Sequence, residues 1–209
     1  MTYQRAVLIS AINNPMQLIL GSASPRRREL LAQIGVTADK IISADIDETP
    51  LRGERPLTYA LRIASAKSQA ISAVECDLVL SADTVVSAGI RILGKPKNAG
   101  QAFEYLSLLS GRRHRVTTAV SLRKGSKVWA RSVTTAVKIK NLSDTEISAY
   151  IRSNEWQGKA GGYAIQGIAA VFIPFISGSY SNVVGLPLTE TANLLIAAGY
   201  PVSYEGHSS

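Results

Sequence analysis

The chain has 209 residues, of which 46% are hydrophobic, and 23 lysines and arginines against 15 aspartates and glutamates give it a formal charge of +8. This length and apolar content support a real core, in one large domain or two small lobes. A single cysteine, Cys76, excludes an internal disulfide framework, and two histidines leave little material for zinc.

The positive balance favours anionic partners, with nucleotides, nucleic acid and membrane surfaces all open. Only RRR and GRRHR are dense, however, which argues against a charge-driven polymer binder. No apolar run approaches the roughly 20 residues that span a bilayer, and the start shows no signal-peptide pattern, so a soluble protein of a reducing cytoplasm is expected. Because MQLILGSASPRR makes a natural beginning, residues 1–16 read as an N-terminal extension or as the product of a start mis-assigned to Met1 instead of Met16.

Strand-like and helix-like segments then alternate without internal repeats, which predicts an α/β protein. After QLIL, Ser24 and Pro25 read as the cap and first residue of a helix to about Ile34, closed by Gly35. A short strand KIIS precedes the acidic loop ADIDETPLRGE, and Pro56 opens a long helix to about Val74. DLVLSADTVVSAG reads as a strand bending at Ala82 and Asp83, and RILGKP as a short strand paired with it across Gly89.

Asn98 caps a helix through Leu109 that Gly111 ends. HRVTTAVSL and KVWARSVTTAVKI, joined by RKGS, predict a β-hairpin, and SDTE from Ser143 is a capping box for a helix to about Ser153. The glycine-rich GKAGGYAIQG leads into an expected strand IAAVFIPFI, a turn at SGS, the segment YSNVV and a last helix from Pro187 to Ala198. Residues 17–200 read as one domain, with 201–209 a loose tail.

The chemistry starts at the arginine turn. A helix N-terminus carries about half a positive charge, so Arg26, Arg27 and Arg28 in its first turn are in electrostatic conflict unless an anion sits there. A strand, a small-residue turn and a helix start form the usual anion site, because free backbone N–H groups point outward. The three side chains lie about 100° apart around the axis, so one or two at most face a ligand. The alternative is three solvated arginines paired with carboxylates elsewhere.

Lys67 falls inside the apolar arc of its helix, which holds Ile63, Val74, Ala60, Ile71, Ala64, Leu57 and Leu61. Such a lysine either snorkels to water or meets a negative charge. Asp83 follows a buried-looking run, where strand ends in α/β proteins face the ligand crevice; a turn aspartate is the other reading. Glu48, with Asp45 and Asp47, forms a second acidic group on a polar loop. Together these offer hard oxygen ligands without nitrogen or sulfur, which suits Mg²⁺ or Mn²⁺.

GIRILGKP has the spacing of a P-loop up to its lysine, but Pro96 supplies no hydroxyl and no helix starts there. Lys95 is left as a point charge able to reach a phosphate. GKAGGYAIQG has misspaced glycines for a dinucleotide fingerprint and reads as a pocket wall. In it Gln166, with donor and acceptor on one amide, suits a base edge as well as it suits a turn.

In their order, SASPRRRELL, SADTVV, LGKP, LSGRRHRV, KAGGYAIQG and VVGLPL resemble the Maf family of nucleoside triphosphate pyrophosphatases, from about Leu18 to about Leu195. The resemblance implies an elongated mixed β-sheet flanked by helices, with an inosine triphosphate pyrophosphatase-like architecture and a nucleotide cleft between two lobes. It implies hydrolysis between the α and β phosphates to a monophosphate and pyrophosphate, with a divalent metal. The catalytic proton acceptor falls on Asp83, the serine and arginines of SPRR on Ser24, Arg26 and Arg27, and the metal-site glutamate on Glu48. Lys67 and Lys95 match the family's helix and GKP lysines, and Arg26, Thr84 and Gln166 match the residues associated with substrate choice.

Ser81 stands where many members have glycine, and Asp47 precedes Glu48 where a pair of glutamates is frequent. SPRR with IQG is similar to the branch acting on dTTP and UTP. The resemblance alone suggests a homodimer, and no stable nucleic-acid or membrane complex is expected. Two other readings compete: a nucleotide or nucleic-acid binding regulator of septum formation without turnover, and a phosphatase releasing orthophosphate from the γ position.

Overall fold

The computed structural model describes residues 16–202. The expected N-terminal extension falls almost wholly outside this range, as does most of the expected C-terminal tail. The elements are β1 (Leu18–Leu20), α1 (Pro25–Gln33), β2 (Lys40–Ile41), α2 (Pro56–Ala70), β3 (Leu78–Ala88), β4 (Arg91–Leu93) and α3 (Ala99–Leu109). They continue with β5 (Arg113–Lys124), β6 (Lys127–Lys138), α4 (Asp144–Arg152), β7 (Phe175–Ser177), α5 (Tyr180–Val184) and α6 (Leu188–Ala197).

One seven-stranded mixed sheet runs β2-β1-β3-β5-β6-β7, with β4 also on β3. β1 is parallel to both β2 and β3, and the other pairs are antiparallel. The β5–β6 hairpin closes at Gly125, whose φ of 54° only glycine adopts without cost. Local chemistry accounts for several helix starts: Asn98 accepts the Gln101 N–H, and Ser143 and Glu146 form a complete capping box.

The sheet buries its two faces against different helices. Leu18, Leu20, Leu78 and Leu80 pack with Leu30 and Leu31 of α1 and Leu194 and Leu195 of α6. Farther along, Val86 and Val116 pack with Leu106 of α3 and Tyr150 of α4. Opposite these two clusters, Val85 and Ala119 meet Tyr59, Ala60 and Ile63 of α2. Each fully buried leucine or isoleucine contributes about 1.5–3 kcal/mol.

The arrangement of β3 positions the site. β5 pairs with it continuously from Leu78 to Ser87, which overturns the expected bend at Ala82 and Asp83. Its other edge is shared: β1 covers Leu78–Leu80 and β4 covers Val86–Ala88. Residues 81–85 lie between the two, at an opening in the sheet. Side chains alternate faces along a strand, yet at an open edge Asp83 and Thr84 both reach the same cavity.

Three further expectations change. α2 stops at Ala70, not Val74, because Ile71 turns extended and the Arg123 guanidinium takes the carbonyls of Ser68 and Ile71. Leu57 and Val74, placed in the buried arc by periodicity, are exposed. IAAVFIPFI is a 3-10 turn over Ile168–Phe172 followed by strand only at Phe175–Ser177, and Pro174 between them has no N–H for a ladder. No helix among the described residues is long and apolar enough to cross a membrane.

Candidate active site

β1 delivers the chain through Gly21–Ser24 to the start of α1. Gly21 is required there, since a Cβ would meet the Ser81 Oγ at 2.2 Å. Ser24 holds the cap position with extended backbone, but its hydroxyl makes no capping bond and the first turn carries no acidic residue. The hydroxyl and the turn instead line a cavity of about 310 Å³ together with Arg26 and Arg27.

The three arginines have different tasks. Arg28 is exposed. Arg27 donates from Nε to the Gly185 carbonyl at 2.9 Å, from Nη1 to the Ser22 Oγ at 2.8 Å and from Nη2 to the Thr84 Oγ1 at 3.2 Å. It therefore ties α1 to β3 and to the end of α5, with two of its five N–H groups remaining. Arg26 lines the cavity beside it, and burial lowers the pKa of both, against the pull of Glu29 on Arg26 and of Asp83 on Arg27.

Lys67 meets charge instead of snorkelling. Its Nζ donates to the Asp83 Oδ1 at 2.7 Å and pairs with the Glu48 Oε1 at 2.8 Å. Burial pushes the Asp83 carboxyl up, and Lys67 and Arg27 only partly pull it back. Burial acts on Glu48 too, but the Lys67 hydrogen bond, with the charges of Lys67, Lys95 and Arg27, outweighs it and lowers that pKa. The Tyr59 hydroxyl donates to the Glu48 carbonyl at 2.8 Å and fixes that loop. Of the loop's acidic residues only Glu48 enters the cavity: Asp45 is exposed, and Asp47 accepts from the Thr49 N–H.

Lys95 lines the same cavity, just past β4. The glycine-rich loop forms the far wall, as expected, with Tyr163 and Gln166 on it. The Gly161 N–H donates to the Gly94 carbonyl, and a Cβ at Gly161 would meet Val86 at 2.7 Å, so this loop lies directly on β3 and on the chain leaving β4. Thr84 shares its hydroxyl with Thr118 at 3.0 Å as well as with Arg27.

The cavity thus gathers nine of the residues singled out from the sequence, Ser24, Arg26, Arg27, Glu48, Lys67, Asp83, Thr84, Lys95 and Gln166, and leaves out Arg28, Asp45 and Asp47. Sequence reasoning missed Lys159, which also lines it; the only available signal was a lysine two residues before the glycine pair. The lining has five cations and two carboxylates, a net charge of +3. Among the described residues no group of three His, Cys, Asp or Glu side chains is placed to hold a metal. Glu48 and Asp83, both held on one ammonium, are the hard oxygen donors of the cavity that could hold a divalent cation.

Beneath the wall, His114 of β5 is 3% exposed and its Nε2 lies 2.7 Å from the Tyr163 hydroxyl. Among the described residues its Nδ1 has no hydrogen-bond partner, and burial lowers the imidazole pKa to about 4. An unfolded histidine titrates near 6.5, so between those values the unfolded chain holds the extra proton and stability falls as the solution is acidified. The full effect amounts to about 3 kcal/mol. His114→Gln is expected to flatten the pH dependence of urea unfolding between pH 6.5 and 4 relative to the parent; parallel curves would show that His114 does not titrate with unfolding.

The Maf-like protein family model matches residues 17–198. A dTTP/UTP pyrophosphatase of Cereibacter sphaeroides is 60% identical over 187 residues, covering 90% of this chain and 97% of that protein. One from a Ruegeria species is 57% identical over 187 residues, again 90% of this chain and 97% of the relative. Among solved structures, a HAM1 protein from Coxiella burnetii is 14% identical, covering 88% of this chain and all of that one, with a TM-score of 0.48. A family model spanning nearly all the described chain, together with relatives this similar end to end, places the chain in the Maf family.

Proposed function

We propose that the protein hydrolyses nucleoside triphosphates between the α and β phosphates, releasing a nucleoside monophosphate and pyrophosphate, with dTTP and UTP preferred, as the names of its relatives suggest. The observation that carries this reading is the Lys67 ammonium held between Asp83 and Glu48 inside a cavity of net charge +3. Such a lining suits a polyanion, and the acidic pair within it gives the site more than binding to do.

In this reading the Ser24 hydroxyl, the first-turn amides and Arg26 hold phosphate oxygens, while Arg27 shapes that end of the cavity through its ties to Ser22, Thr84 and Gly185. Lys95 and Lys159 neutralise the departing pyrophosphate, and preplaced charge of this kind is typically the largest catalytic contribution. Asp83 accepts the proton of the attacking water. Lys67 occupies its Oδ1 and leaves Oδ2 for that proton, and burial raises its basicity. The amide of Gln166 offers a donor and an acceptor to the N3–H and carbonyl that uracil and thymine share.

Glu48 and Asp83 fit Mg²⁺ or Mn²⁺, which when bound would polarise phosphate oxygens and lower the pKa of a bound water. Residues 17–200 act as one domain, alone or as a homodimer, on free nucleotides in the cytoplasm. No particular observation favours a regulator without turnover.

Purified protein incubated with a panel of nucleoside triphosphates and Mg²⁺ or Mn²⁺ tests the proposal when monophosphate, pyrophosphate and orthophosphate are quantified separately. Equimolar monophosphate and pyrophosphate, strongest for dTTP and UTP, is the expected result. Orthophosphate with a diphosphate would make it a γ-phosphatase, and no turnover of any nucleotide would return the binding reading to first place.

A further inference from the structure

The segment that carries Gln166 is pinned on both sides of it. The Ala164 N–H donates to the Tyr150 hydroxyl at 3.3 Å, and that hydroxyl donates to the Glu155 Oε1 at 2.9 Å. On the other side of Gln166, the Ile168 N–H donates to the Glu155 Oε2 at 2.8 Å and the Ala169 N–H to its Oε1 at 3.3 Å. A Cβ on Gly167 would meet the Glu155 Oε2 at 2.1 Å, so the carboxylate lies directly against the backbone next to Gln166. One carboxylate and one phenol, from α4 and the turn after it, thereby hold residues 164–169.

Gln166 itself is exposed and lines the cavity, next to Ile165, which is 6% exposed and belongs to the core. Tyr150 is different: it is 1% exposed and packs edge-to-face on Phe172 at 5.7 Å. The clamp therefore ties an exposed reading residue to a rigid interior. The same bonds explain why IAAVFIPFI begins as a 3-10 turn: the Ile168 and Ala169 N–H groups, which a strand would give to a neighbour, go to a carboxylate.

We infer that Glu155 is a positioning residue for base selection: with Tyr150 it sets where Gln166 stands relative to the base, and it takes no part in phosphate binding or in the reaction. The inference rests on the proposed hydrolysis and on Gln166 as the base reader. Glu155 is absent from the cavity lining, and its three hydrogen bonds all go to groups of the protein.

Glu155→Gln keeps the size but turns one acceptor into a donor facing an N–H donor, so at least one anchor is lost. Steady-state kinetics with UTP and ATP, inhibition by inorganic tripolyphosphate and thermal melting would be measured on the parent, Glu155→Gln, Tyr150→Phe and Gln166→Ala. Glu155→Gln is expected to raise KM for UTP about tenfold, to lower the UTP-over-ATP preference in kcat/KM by a similar factor, and to leave kcat within about twofold. Tripolyphosphate inhibition is expected to stay unchanged.

Tyr150→Phe, which removes one anchor and keeps the ring, is expected to shift the preference in the same direction by a smaller factor, and it serves if Glu155→Gln does not fold. A folded Glu155→Gln or Tyr150→Phe with the parent's preference, while Gln166→Ala loses it, would overturn the inference and leave the base-reading role standing. An unchanged preference in Gln166→Ala would overturn that role and the inference together. Equal losses for UTP, ATP and tripolyphosphate would show that Glu155 acts on the whole site.

Discussion

Asp83→Asn is expected to lower turnover of the preferred triphosphate by about a thousandfold or more, the scale on which a lost general base and a lost charge at the reacting phosphate act together. The variant should remain folded. The amide has the carboxylate's shape and keeps one oxygen for the Lys67 Nζ, which lies 2.7 Å from the Asp83 Oδ1. Burial already disfavours the charge on Asp83, so its removal relieves a native-state cost and the melting temperature should be equal to or above the parent's, as is common when a strained functional group is neutralised. Product release measured beside thermal melting decides this: near-parental turnover in a folded Asp83→Asn protein would remove Asp83 from the reaction.

The second large effect concerns Lys67. Lys67→Met keeps the length of the side chain and removes the cation shared by Asp83 and Glu48. With the cation gone, Asp83 is left charged in a buried place beside another carboxylate and with only Arg27 to offset it, a situation that costs about 3 kcal/mol. The sign of the pH dependence follows from the same groups. Glu48 is held below its ordinary pKa in the parent, so it contributes stability above pH 4.5 that is lost as the pH falls through its folded value. Lys67→Met removes that contribution and pushes Asp83 further up, so its stability deficit should be larger at pH 8 than at pH 5. Turnover should fall about a hundredfold or more, through lost stabilisation of developing phosphate charge. Equal deficits at the two pH values would show that Lys67 acts through packing alone.

Both predictions turn on contacts whose partners lie far apart in the chain. Lys67 and Asp83 are 16 residues apart, and Arg27 and Gly185 are 158 apart. Helical periodicity placed Lys67 on a buried face and left two outcomes, water or an opposite charge. Only the path of β3 beneath α2, and the Tyr59 hydroxyl holding the Glu48 loop, made it the second. For the arginine turn, the geometry of a helix surface limited the ligand-facing side chains to two. That one of those two spends its guanidinium largely on Ser22, Thr84 and Gly185 has no local signature, because none of the three partners adjoins it in the folded helix.

The α/β class, most elements of the fold and the residue types of the site were legible in the amino-acid order. These depend on local physics: proline at a helix start, a complete capping box at Ser143, glycine at the turn between two β-branched strands, and hard oxygen donors accompanied by lysines and arginines. The tertiary structure alone decided where α2 ends, that β3 runs unbent with an open stretch between β1 and β4, and that the residues after Gly167 leave strand geometry to meet Glu155. Each of these depends on which distant group satisfies a backbone N–H or carbonyl. Propensity and periodicity are properties of a window of neighbours, whereas a carbonyl claimed by Arg123 or an N–H claimed by Glu155 is assigned only once the whole chain has packed.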